Sequence, residues 1–194
     1  MKILTQLLIT ALYTVFVQNI VMTSGLGMSE VMRISPRPRT FAKFAVMISG
    51  FSVVTSVLCY FISSKSSSID SYAAKAVVYG AVLGSVYLIA AFFTNLIVKD
   101  KENVAVLGIA ALNTLVFAVP YINDSAAYSL IDCLASGFGA GFAFVLAAAL
   151  IGSGARLIEK NKHIPAVFKG TPAMFFYVAM ISLGFIGFTG TQLF

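Results

Sequence analysis

Gln18-Asn19-Ile20-Val21-Met22-Thr23-Ser24-Gly25-Leu26-Gly27-Met28-Ser29-Glu30 is the stretch that decides how this chain is built. It lies inside an apolar run from Ile3 to about Met32. A plain membrane span needs about 20 apolar residues, so the run is too long for one. Polar side chains and glycines interrupt it. Backbone groups freed by such an interruption find no partner in lipid, and are tolerated only where they are buried in protein or line a cavity. The spacing therefore predicts a discontinuous first helix facing the protein interior.

The rest of the chain supplies the membrane context. Of 194 residues, 59% are hydrophobic and 10% charged, where a soluble domain carries about 25% charged residues. The mean hydropathy of +0.95 assigns that excess to lipid. Soluble enzymes, disordered tails and disulfide scaffolds are excluded. Five more apolar runs follow, over about 41–62, 72–98, 103–120, 126–157 and 171–194. None alternates as a barrel strand would. The expectation is an all-α integral membrane protein of six transmembrane helices in a single membrane domain, 1–194. Met1-Lys2 and the apolar residues after it look like a signal peptide opening, but the run continues well past an h-region of about 7–15 residues. It is read as a retained first helix.

The fourth run is short. It opens on Lys99-Asp100-Lys101-Glu102-Asn103, contains Gly108, and ends at Asn113-Thr114 and Pro120. It too is predicted to be discontinuous. Its start, Glu102-Asn103-Val104-Ala105-Val106, echoes Gln18-Asn19-Ile20-Val21-Met22, and glycine follows each. Two plain helices follow each broken one. Three spans per half give the halves opposite orientations, so two inverted three-helix repeats are expected, about 1–98 and about 99–194. Interrupted helices at matching positions of inverted repeats point to a site near the midplane. Its pocket or ion-path candidates are Asn19, Gly25, Gly27, Glu30, Asn103 and Gly108.

Charge sets the orientation. The net charge is +6, which in so apolar a chain speaks for basic loops rather than nucleic acid. Arg33, Arg37, Arg39, Lys43, Lys99, Lys101, Arg156, Lys160, Lys162 and Lys169 lie on one side; Lys2, Lys65 and Lys75 lie on the other. The positive-inside rule places both termini outside the cytoplasm, in a multi-pass protein of the cell (inner) membrane.

The polar residues have plain structural readings beside functional ones. Glu30 near membrane depth could bind a cation or relay a proton, or simply pair with Arg33. Asn19 and Asn103 could coordinate a cation through their carbonyls, or satisfy backbone at a break. Glu102 suits a helix N-terminus. Lys75 could pair with Asp132 or snorkel alone, and His163 is a lone loop histidine. The small residues Gly80–Gly84 and Gly137–Gly141 suit close helix packing, within the chain or between subunits. Cys59 and Cys133 form no ligand motif. No P-loop, dinucleotide fingerprint, nucleophile elbow or zinc motif occurs. No catalytic or metal-binding residue is assigned.

Three patches carry a family resemblance. They are Gln18-Asn19-Ile20-Val21-Met22 through Leu26-Gly27-Met28; Asn103-Val104-Ala105-Val106-Leu107-Gly108 with Leu112-Asn113; and the stretch from Arg156 through Ile164-Pro165-Ala166-Val167-Phe168-Lys169-Gly170 to Met180-Ile181-Ser182-Leu183-Gly184-Phe185-Ile186-Gly187-Phe188-Thr189-Gly190. With them the chain resembles the integral membrane subunits of Rnf and Nqr electron transport complexes, the RnfA/RsxA/NqrE side. The resemblance implies a six-helix inverted repeat with both termini outside. It also implies a homologous membrane subunit of opposite topology as partner, besides the bilayer and other complex subunits. In the family, one cysteine from each broken helix contributes to a shared [2Fe–2S] centre used in electron transfer coupled to Na⁺ or H⁺ movement. Here Ser29 and Val104 stand at those positions, and valine cannot ligate iron. No cofactor is therefore expected on this chain. The expected function is a membrane subunit or diverged paralogue of such a complex that supports ion movement without its own cluster, at most a non-catalytic subunit of a redox enzyme. The alternative is a stand-alone inverted-repeat transporter of an ion or small solute.

Overall fold

The structure is a computed structural model that describes residues 2–65, 71–98 and 101–189, the side chains of residues 38, 98 and 101–103 excepted. Among these residues there are helices and no strand. They are α1 (Lys2–Leu12), α2 (Ile20–Ser24), α3 (Met28–Ile34), α4 (Phe41–Lys65), α5 (Tyr72–Val98), α6 (Lys101–Ala111), α7 (Thr114–Ser125), α8 (Leu130–Lys160) and α9 (Thr171–Phe188). A single π-helical stretch, Tyr13–Val17, extends α1, and a 3-10 turn, Pro38–Thr40, leads into α4. Six segments are long and apolar enough to cross a membrane: Lys2–Ser24, Phe41–Lys65, Tyr72–Ile97, Val104–Ser125, Leu130–Lys160 and Thr171–Phe188. The chain is a multi-pass membrane protein, and its first and fourth spans are broken as the sequence predicts.

The fourth span ends later than expected. Pro120 lies inside α7, which continues to Ser125. Proline removes one helical hydrogen bond and crowds the preceding turn, yet membrane helices tolerate it where neighbouring helices cover the site. Pro120 is buried.

Helix α8 is the centre of the bundle. Its glycines sit at two contacts on different faces. A Cβ on Gly137 would lie 2.7 Å from the Val53 backbone, and one on Gly141 would lie 2.7 Å from the Ala45 carbonyl oxygen. Both face α4. A Cβ on Gly139 would lie 3.0 Å from the Ala11 carbonyl oxygen of α1. Lipid offers no hydrophobic drive to bring helices together, so close backbone approach and dispersion contacts do the work. The Gly137–Gly141 stripe thus packs the chain's own helices. Gly84 on α5 has nothing within 4 Å of an added Cβ.

Polar contacts fix one end of the bundle. Ser129 caps α8, its side chain accepting from the Asp132 backbone while Asp132 accepts from the Ser129 N–H. Asp132 also accepts from Thr10 Oγ1 at 2.8 Å and Gln6 Nε2 at 2.9 Å, which ties α1 to the start of α8. A carboxylate in a first helical turn also meets the positive end of the helix dipole. Lys75 does not reach it. The Lys75 ammonium pairs instead with Asp124 at the end of α7, because α5 packs on α6 and α7 while α1 occupies the side of α8 that carries Asp132.

The glycine contacts give a test of sign. Gly→Ala within a helix ordinarily stabilises by about 0.5–1 kcal/mol. Gly137→Ala should instead lower the melting temperature in detergent, because α4 backbone must move and overpacking costs about 1–3 kcal/mol. Gly84→Ala should leave it unchanged or raise it.

Candidate functional site

The first break begins where the π-helical stretch ends. The Gln18 N–H donates to the Tyr13 carbonyl at 2.8 Å, and the helical ladder stops there. Asn19 restarts it. Its Oδ1 accepts from the Met22 N–H at 3.2 Å, as an N-cap does. Its Nδ2 donates to the Val15 carbonyl at 2.9 Å and reaches the Ala143 carbonyl of α8 at 3.5 Å. One fully buried amide therefore serves both sides of the break and touches the central helix.

Five residues later α2 stops at Gly25, which is left-handed at φ 70° and donates to the Val21 carbonyl. This is the usual glycine C-cap. Gly27 is left-handed too, at φ 81°. Its N–H donates to Thr114 Oγ1 at 2.8 Å. A Cβ on Gly27 would lie 2.9 Å from Asn113 Oδ1 and 3.1 Å from Leu115 Cβ. Thr114 opens α7 directly after the break in the fourth span. Asn113 caps that helix, its Oδ1 accepting from the Leu115 N–H at 3.0 Å. The two breaks meet, and a residue of each half satisfies the backbone of the other.

The meeting point reaches the protein surface. Gly27 and Asn113 are buried, while Gly25, Ser29, Leu112 and Thr114 are exposed. The breaks are thus only half turned inward, which differs from the expectation of a wholly interior face. The physical reason is the shortness of α2 and α3: the loop between them is covered from one side only.

The other sequence candidates are dispersed. Glu30, in the first turn of α3, pairs with Arg33 at 2.7 Å, the plain structural reading. Gly108 is half-buried in α6, where an added Cβ would lie 3.1 Å from the Tyr87 hydroxyl. Asn103 lies in the first turn of α6, well before the break at Asn113, and its side chain is outside the described residues, as is that of Glu102. Ser29 and half-buried Val104 offer no thiolate, and among the described residues no group of three or more His, Cys, Asp and Glu side chains could hold a metal. An iron–sulfur cluster does not fit the residues at the breaks.

Sequence reasoning missed two things. Asn113 and Thr114, rather than Asn103, face the first break; the signal was an Asn-Thr pair inside an apolar run, an N-cap followed by a hydroxyl. The second is a cavity of about 440 Å³ at the end of the bundle that carries the α4–α5 and α7–α8 connections. Ser56, Cys59, Tyr79, Asn123, Asp124 and Cys133 contribute to its wall. Cys59 and Cys133 are both buried and unbridged. Tyr79 shares a 2.7 Å hydrogen bond with Ser63. Burial pushes the phenol of Tyr128, in the connection at the rim, above its ordinary pKa.

Asn19→Leu removes an acceptor for Met22 and a donor for Val15. Each buried group left unpaired costs about 1–3 kcal/mol. The variant should melt clearly below the parent in detergent, whereas Val46→Leu on an exposed face of α4 should not. An unchanged melt for Asn19→Leu would mean that the first span is continuous.

No family model matches the chain. Curated proteins match it along nearly its whole length. One is the RnfA/RsxA component of the ion-translocating oxidoreductase complex of Vibrio vulnificus, 27% identical over 207 residues, spanning 96% of this chain and 98% of that protein. The corresponding component from Vibrio cholerae matches with the same identity and coverage. That of Pseudomonas aeruginosa is 27% identical over 200 residues, again spanning 96% and 98%. The three patches quoted from the sequence and these alignments agree: the chain is a homologue of these ion-translocating oxidoreductase complex subunits and groups with the RnfA/RsxA family.

Proposed function

We propose that the chain is a membrane subunit of an Rnf-type ion-translocating oxidoreductase complex. The observation that carries this reading is the near-complete alignment with the RnfA/RsxA proteins, which takes in both broken spans. The geometry supports it. Gly25, Ser29, Leu112 and Thr114 expose polar atoms and a helix interruption in a stretch that would otherwise face lipid. Lipid cannot satisfy such a surface, and a protein partner can. A homologous subunit of opposite topology is the partner proposed for it. Helices α5 and α9 leave broad apolar faces uncovered, with Val77, Leu88, Phe92, Ile97, Phe175 and Met180 each more than half exposed, room for lipid and further subunits.

Finer parts of the reading follow from the sequence. The two halves, about 1–98 and about 99–194, are proposed as inverted repeats that meet through their breaks. Asn19, Gly25, Gly27 and Asn113 form the junction, with Asn103, Gly108 and Glu30 on its flanks. Both termini lie outside the cytoplasm of a cell (inner) membrane. Ser29 and Val104 leave the chain without cluster ligands, so its role is to scaffold the complex and support ion movement.

Affinity purification from native membranes tests the assembly. Flavin- and iron–sulfur-containing subunits should copurify in fixed ratio; recovery of the chain only as a homo-oligomer would overturn the reading in favour of a stand-alone transporter. Orientation has its own check. Cysteines at Arg37 and Lys162 should be labelled by an impermeant reagent only from the cytoplasmic side, and one at Ser71 only from the other. Labelling of Ser71→Cys and Lys162→Cys from one side would contradict the topology.

A further inference from the structure

We propose that the interface of α4 and α7 is an aqueous path that opens at the cavity between the α4–α5 and α7–α8 connections and leads water inward toward the paired breaks. The inference rests on buried polar groups that the protein leaves unpaired. On α4, Ser52, Thr55 and Ser56 are 0–1% exposed, and none of their hydroxyls has a hydrogen-bond partner. On α7, both amide atoms of Asn123 and, at its cap, the Nδ2 of Asn113 are likewise buried and unpaired. Pro120 adds another group, since it has no N–H to donate to the Val116 carbonyl. Each such group costs about 1–3 kcal/mol if it stays dry. Native buried polar groups are almost always satisfied, by protein or by ordered water.

Helix periodicity lines these groups up. Ser56 and Asn123 form part of the cavity wall. Ser52 lies one turn, about 6 Å, below Ser56 on the same face of α4. On α7, positions 113, 116, 120 and 123 recur at three- and four-residue steps and share a face. That face runs from the cavity to the Asn113 cap, where Gly27 and the first break begin. Helices α4 and α7 pack directly against each other.

The chemistry selects water over a bare ion. Hydroxyls and carboxamides both donate and accept, as water does. A cation would be met by the Nδ2 hydrogens of Asn113 and Asn123. The one carboxylate assigned to the cavity wall, Asp124, is already paired with Lys75, so the path carries no net charge from that pair. It is also independent of whether the chain works alone or in a complex.

Cysteine accessibility in native membrane vesicles of each orientation tests this, with (2-sulfonatoethyl) methanethiosulfonate as the impermeant probe. In a Cys59→Ser, Cys133→Ser background, Ser56→Cys and Ser52→Cys should react from one side only. Thiol reaction depends on solvent access, so Ser52→Cys should react at least about tenfold faster than Ile48→Cys, a fully buried apolar position one turn further along α4. Thr55→Cys gives the same reading if Ser52→Cys fails to accumulate. Reaction at Ser56→Cys with none at Ser52→Cys and Thr55→Cys would show a closed cavity and overturn the path. Equal reaction from both sides, or rates matching Ile48→Cys, would overturn it too.

Discussion

A helix that breaks inside a membrane must find partners for its freed backbone within the protein, and this structure meets that constraint by setting one break against another. The Gly27 N–H, orphaned between α2 and α3, is accepted by Thr114 at the start of α7. The cap of α7, Asn113, lies against Gly27 so closely that only glycine fits. Gly27 is also left-handed, so steric fit and backbone conformation demand the same residue. The junction holds the first half of the chain to the second at the depth where lipid could do neither.

Everything around the junction serves to hold it in register. Helix α8 brings α1 and α4 to within backbone contact through Gly137, Gly139 and Gly141. The Ala143 carbonyl of the same helix lies within reach of the Asn19 amide, so the first break is anchored to the element that organises the bundle. At the far end, Asp132 gathers Gln6, Thr10 and Ser129, which sets the height of α1 against α8. A polar cluster there and a glycine stripe below it fix the broken span at two levels.

The fold was legible because lipid makes strong demands on sequence. Six apolar runs, broken helices at Gln18-Asn19 and in the fourth run, and glycine packing on α8 all followed from the cost of exposing backbone in hydrocarbon. The site was legible in part. Asn19, Gly25 and Gly27 were found because glycine and amide in an apolar run have few other uses. The partner of that break was assigned by an echo at Asn103, whereas the contact is made by Asn113 and Thr114. Local similarity carries no information on depth, and Asn103 lies several turns from where the spans cross. The Lys75–Asp124 pair and the unpaired hydroxyls of α4 were invisible for a related reason. Serine and threonine in membrane helices usually bond their own backbone, and only packing reveals those that do not.

The central claim is that each half of the chain satisfies the broken backbone of the other, and amide hydrogen exchange at Gly27 tests it most directly. The account predicts slow exchange at Gly27 in the parent and in Thr114→Ser, which keeps the hydroxyl, and fast exchange in Thr114→Val, which lacks it. Exchange at Gly27 that is equally slow in Thr114→Val would contradict the account.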